Sequence, residues 1–210
     1  LINNPNISYF NHIFNLMKKP ATEILAAKSL LAMNRKKTYS KLSDIFSASG
    51  TKIKSKKLII KLLHHFIHEE VLTLIFTAMD SSHLSLIDEA SNALIKVSKN
   101  QNLSNSHLIK IEELILRLAQ RAFQMHLFKS TIINDQHSRL IKDHVEYDLS
   151  VLVPVLLKLG TLKEPEIPIE KYIHYVKSND NELLPLVLEL VESTFTSNTK
   201  KFILPLIDPD

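Results

Sequence analysis

Between Lys52 and His68 the chain places lysines and histidines at steps that bring them onto one side of a helix. Lys54, Lys57 and Lys61 are continued by His64, His65 and His68, while Ile59, Leu62, Leu63, Phe66 and Ile67 fall on the other side. With Lys52 and Lys56, and with Arg35, Lys36, Lys37 and Lys41 before them, this row is suited to phosphate, whether of nucleic acid or of anionic lipid. Each basic group near a charged membrane surface contributes about 1 kcal/mol. A water-facing helix shows the same pattern. His64 and His68 stand one turn apart, a spacing that holds a metal between two imidazoles. A metal site needs three or four ligands, the order HHFIHEE is not H-E-x-x-H, and Lys61 repels a cation, so no metal is expected.

Other chemistry is poorly provided for. Asp88 with Glu89, Glu112 with Glu113, and Glu164 with Glu166 are acid pairs, but general acid/base work requires two carboxylates in unlike environments around one cleft. Glu113 four residues before Arg117 reads as a helix-surface ion pair. The chain has no Cys, which removes thiol nucleophiles and thiolate metal sites, and only two glycines, Gly50 and Gly160. Gly-rich phosphate loops and nucleophile elbows have nothing to be built from. The expectation is a non-enzyme with no catalytic residues and no cofactor.

These side chains must be positioned by helices. Few glycines, no Trp and richness in Leu and Ile disfavour sheet and Rossmann folds, and 45% hydrophobic residues suffice for a continuous core. The stretch Val71 to Val97 is the clearest unit. An apolar run (Leu72, Ile75, Phe76, Met79) ends at Asp80, Ser81, Ser82, His83, and Ile87, Ala90, Ala93, Leu94 and Val97 follow at helical spacing. Ser85 and Asp88 predict a capping box for the second helix, and the small Ala90 and Ala93 predict a close helix contact. A hairpin this short cannot bury its apolar stripe alone and must be stacked between similar pairs.

Similar pairs are expected on both sides: Ser8 to Lys19 with Ala21 to Met33, and Thr38 to Ala48 with Ile53 to Glu69, Gly50 stopping the third of these helices. One long helix is predicted from Ser104 to Phe128. Gln136 to Leu159 should kink or restart near Pro154. Ile169 to Lys177 with Glu182 to Phe195 forms the last pair, and Thr199 to Ile207 is a remnant. Starts near Ser8, Thr38, Val71, Ser104, His137, Pro168 and Thr199 recur at about 30 to 33 residues, the signature of a helical solenoid. The predicted architecture is all-α: one right-handed α-solenoid of HEAT/armadillo-like hairpins over 1–210.

Hairpins of this length, a polar break containing Asp and the A-x-x-A-L pattern of Ala90, Ala93 and Leu94 resemble HEAT-like repeats of the short bacterial kind. The C-terminal half is similar to something narrower. LILRLAQRAF, a Pro-containing loop and KYIHYVKSNDNELLPLVLELVESTFTSNTKKFILPLID resemble the HEAT region after the membrane domain of bacterial ATP/ADP-translocase-like transporters of the major facilitator type. The matching pieces are Ser178 to Asp180; Leu188, Glu189, Leu190, Val191 and Glu192 in place of A-L-E-L-L-D; and Leu204, Pro205, Leu206 and Ile207 in place of L-P-L-L. The resemblance implies a cytosolic appendage at the cytosolic face of the inner membrane, linked to an upstream membrane domain and associated with nucleotide transport. It carries over no transport-site residue.

Charge is unevenly spread, which bears on partners. Residues 1–70 hold 12 Lys/Arg against 4 Asp/Glu, and the remainder 14 against 18. No apolar run approaches the roughly 18 to 20 residues of a membrane span, and no charged-then-apolar leader opens the chain. Because it begins with Leu1, it is expected to be a soluble, cytoplasmic fragment of a longer polypeptide. The expected function is non-catalytic binding of a protein partner or an anionic membrane surface through Lys52, Lys54, Lys56, Lys57, Lys61, His64 and His68. The rivals are a DNA-binding protein similar to the HEAT-type alkylpurine DNA glycosylases and a free-standing protein-binding adaptor. The glycosylases place Trp and a catalytic Asp in their groove, and this chain has no Trp.

Overall fold

Leu, Lys and Glu retain rotamer freedom in a helix, and a chain rich in them with only two glycines favours helices. The computed structural model describes residues 6–66, 69–132, 138–163, 169, 172–174 and 184–208, and among these every regular element is helical, with no strand. The chain divides into two compact units, Leu1–Val97 and Ser98–Asp210.

In the first unit, a short 3-10 turn (Ile7–Tyr9) leads into α1 (Phe10–Met17), α2 (Glu23–Leu31), α3 (Arg35–Ser47), α4 (Ile53–Leu63), α5 (Glu69–Met79) and α6 (Leu84–Asn100), the last turn of α6 lying past Val97. Each of α1 to α4 packs on the next in sequence. Helix α1 shows why: Phe10, Ile13, Phe14 and Met17 recur at three- and four-residue steps and are all buried. Burial of each such side chain contributes about 1.5 to 3 kcal/mol. Two threonines close the turns between helices. The Thr22 hydroxyl donates to the carbonyl of Leu16 and that of Thr51 to the carbonyl of Ile45, each at 2.6 Å, satisfying acceptors that a helix end leaves open. Asn34 caps α3, its Oδ1 accepting from the Lys37 amide at 3.0 Å.

In the second unit, α7 (Asn105–Thr131) and α8 (Arg139–Gly160) form a long pair, followed by a 3-10 turn (Thr161–Lys163), α9 (Leu184–Thr194) and α10 (Ser197–Ile207). Helix α7 packs on both α8 and α10. Its start is a capping box with histidine in place of the usual Glu: the Ser104 hydroxyl accepts from the His107 amide, and His107 Nδ1 accepts from the Ser104 amide at 3.3 Å. Phe123 of α7 meets Phe202 of α10 with ring centroids 5.6 Å apart.

Several expected boundaries move. The helix drawn from Ile53 to Glu69 ends at Leu63, and the next begins at Glu69. Helix α6 begins at Leu84, with the carbonyl of His83 accepting from the amides of Leu86 and Ile87 and Ser81 Oγ accepting from the His83 amide, so Ser85 and Asp88 are already inside the helix rather than a capping box. Helix α8 runs through Pro154 without restarting, because the buried stretch Leu152 to Leu157 holds the missing-donor position in place by packing. Thr199 to Ile207 is part of a full helix. Ala90 and Ala93 are buried as expected. The first helix of the last expected pair falls largely outside the described residues, as does His68.

Candidate functional site

Four of the eleven residues of α4 (Ile59, Ile60, Leu62, Leu63) are buried, and this apolar side fixes which way its lysines look. Lys52, at the N-cap, and Lys54 are exposed; Lys56 and Lys57 are half-exposed. The Lys56 ammonium lies 5.1 Å from the Phe46 ring centroid, a cation–π contact, and it has no ion-pair partner among the described residues. Lys61 differs. Its Nζ is 2.6 Å from Glu23 Oε1 on α2, and that hydrogen bond raises its pKa above the ordinary lysine value. Its charge is therefore matched within the unit rather than offered outward. From Asn6 to Phe66 the only carboxylates are Glu23 and Asp44.

His64 and His65 do not extend the row. Because α4 ends at Leu63, His64 lies at the C-cap, and the amides of His65 and Phe66 bond back three residues to Leu62 and Leu63 in a tight turn. The rings of His64 and His65 lie 3.9 Å apart between centroids. Burial, then His65 and Lys96, push His64 down to about 4. Burial, with Lys96 and Arg35, also lowers His65. These imidazoles are neutral near pH 7 and add no positive charge to the face. Among the described residues, no three of His, Asp or Glu converge as a metal site.

A groove of about 620 Å3 opens beside the lysines. Its walls are Asn11, Phe14 and Asn15 of α1 with Lys18 at its C-cap, Ile45 of α3, the turn Gly50, Thr51 and Lys52, and Ser55 of α4. Reading the basic residues along α4 alone misses this groove. The signal that finds it is the N-x-x-x-N-x-x-K spacing on α1, polar residues recurring on one side of an otherwise apolar helix. A second groove of about 470 Å3, lined by Lys36, Tyr39, Ser40, Ser43, Asp44 and Glu70, carries both signs of charge. Burial and Glu70 push Tyr39 up to about 12, so it stays a neutral phenol.

Exposed apolar side chains adjoin the lysine face. Ile24 is 70% exposed and Leu25 57%, immediately after the Glu23 that binds Lys61. No helix among the described residues is long and apolar enough to cross a membrane. Set against models of known families, curated proteins and solved structures, the chain matches none of them.

Proposed function

We propose that this chain is a non-catalytic binding domain of HEAT-like helical pairs whose N-terminal unit lies against an anionic membrane surface, as the appendage of a transporter-like membrane protein. The observation that carries the reading is the lysine-rich, carboxylate-poor surface of α3 and α4, where Lys52, Lys54, Lys56 and Lys57 have no paired acid among the described residues. Sequential packing from α1 to α5 supports the repeat architecture. Ile24 and Leu25 favour lipid over nucleic acid. Apolar side chains beside lysines enter the headgroup boundary of a bilayer, whereas a DNA backbone offers them nothing.

Co-sedimentation with phosphatidylserine vesicles across a salt series tests this. Binding should weaken as salt rises, and the double variant Lys54→Glu, Lys57→Glu should lower it by more than tenfold, on about 1 kcal/mol for each charge at the surface. With its pKa pushed down to about 4, His64 should add nothing to binding between pH 7 and about pH 5, so His64→Gln should leave the pH dependence in that range unchanged. Tight binding to duplex DNA at matched salt, without vesicle binding, would replace this reading with the nucleic-acid one.

A further inference from the structure

The groove beside α1 is equipped differently from the open lysine face. Both of its charged side chains, Lys18 and Lys52, are cationic, and no carboxylate lines it. Lys18 is held in place: its Nζ lies 2.7 Å from Asn15 Oδ1 and 5.1 Å from the Phe14 ring centroid. With its oxygen committed to Lys18, Asn15 has its amide N–H groups left as donors. The side chains of Asn11, Lys52 and Ser55 have no hydrogen-bond or ion-pair partner among the described residues. Two ammonium groups and three uncommitted amide or hydroxyl donors thus converge on one concavity that supplies them with no anion.

We infer that this groove binds a phosphomonoester. Such a group carries nearly two negative charges at neutral pH and three acceptor oxygens, which answer two lysines and a set of amide and hydroxyl donors. A phosphodiester, as in phosphatidylserine or a DNA backbone, carries one charge and two free oxygens and leaves part of the set unanswered. The inference rests on the anionic-surface reading where the monoester is a lipid headgroup. A soluble phosphorylated metabolite offers the same chemistry without a membrane.

The test compares the full chain on vesicles containing phosphatidic acid with vesicles containing phosphatidylserine at equal surface charge. A parallel arm titrates glycerol 3-phosphate while following the amide resonances of Asn11, Asn15, Lys18, Lys52 and Ser55. Phosphatidic acid should be preferred by about fivefold or more, and glycerol 3-phosphate should shift these resonances. Ser55→Ala, which removes one groove donor, and Asn15→Asp, nearly isosteric, should each bring the preference towards unity while phosphatidylserine binding persists. Lys54→Gln, outside the groove, should leave the preference unchanged. Equal binding of both vesicles with no response to glycerol 3-phosphate overturns the groove assignment and leaves the anionic-surface reading standing. A response to glycerol 3-phosphate without any vesicle binding keeps the groove and overturns the membrane. A preference that survives both groove variants assigns it elsewhere and also overturns the inference.

Discussion

The two units use similar helices to opposite ends. In Leu1–Val97, α1 to α4 each pack on the next helix in sequence; in Ser98–Asp210, the early helix α7 is completed by α10, which returns from later in the sequence. The first unit holds 13 Lys/Arg against 7 Asp/Glu and the second 13 against 15. Its acid-poor portion also carries the polar groove. A unit assembled from neighbours tolerates variation at its edges and can give polar residues to a surface. One closed by a distant helix has most of its apolar area tied to that closure.

Deleting Ser197 to Ile207 presses hardest on this distinction. It exposes the α7 surface that meets Phe202 and removes the buried Ile203 and Ile207, at about 1.5 to 3 kcal/mol for each large side chain. Hydrogen exchange should show protection collapsing across α7 and α8 while the amides of α1 to α5 keep theirs. Uniform loss in both units would erase the contrast.

The two glycines, one in each unit, give a more local comparison. A Cβ on Gly160 would stand 2.5 Å from Phe195 Cζ, whereas one on Gly50 meets nothing within 4 Å. Gly160→Ala should cost about 1 to 3 kcal/mol in denaturant unfolding, with partial recovery when Phe195→Leu is added. Gly50→Ala should be neutral or slightly stabilising, by about 0.4 to 1 kcal/mol at most. Equal effects would show that the tight approach in the second unit is easily relieved.

Within the first unit, Ala90→Leu or Ala93→Leu overpacks positions that are 0% and 2% exposed and should cost about 1 to 3 kcal/mol, read as a lowered denaturant midpoint. An unchanged midpoint in both variants would place free volume beside α6.

The smallest effect is in pH. His64 has a folded pKa near 4, below its ordinary value of 6.5, so the unfolded chain binds the extra proton first as pH falls. Its contribution to stability is complete above about pH 6.5 and is lost as pH falls towards 4, amounting to about 1 kcal/mol once discounted for the solvent its ring still meets. His64→Gln should flatten that part of the stability profile, and an unaltered slope would remove the role given to burial.

Much of the fold was legible because helix-forming composition and three- and four-residue apolar steps are local properties. The long helix from Ser104 and the buried Ala90 and Ala93 follow from them. The end of α4 did not, since HHFIHEE continues the helical spacing and contains neither Gly nor Pro to mark the turn. Thr199 to Ile207 looked like a remnant because its partner, α7, is remote in sequence. The lysine face was legible in position but not in charge: Glu23 lies 38 residues before the Lys61 it neutralises. Burial that silences His64 depends likewise on neighbours that α4 alone does not reveal.

The threonine hydroxyls after α1 and α3 have a consequence in time. Each bonds to a carbonyl only six residues back, so the loop it closes is short and the chain entropy it consumes is small. Loops of about this length close in roughly 10 to 100 ns, far sooner than a returning helix finds its partner. On a chain emerging from synthesis, the turns after Met17 and Ser47 can be set as soon as Thr22 and Thr51 are available, so the first helices acquire their turning points while the residues of α10 have yet to be joined to the polypeptide.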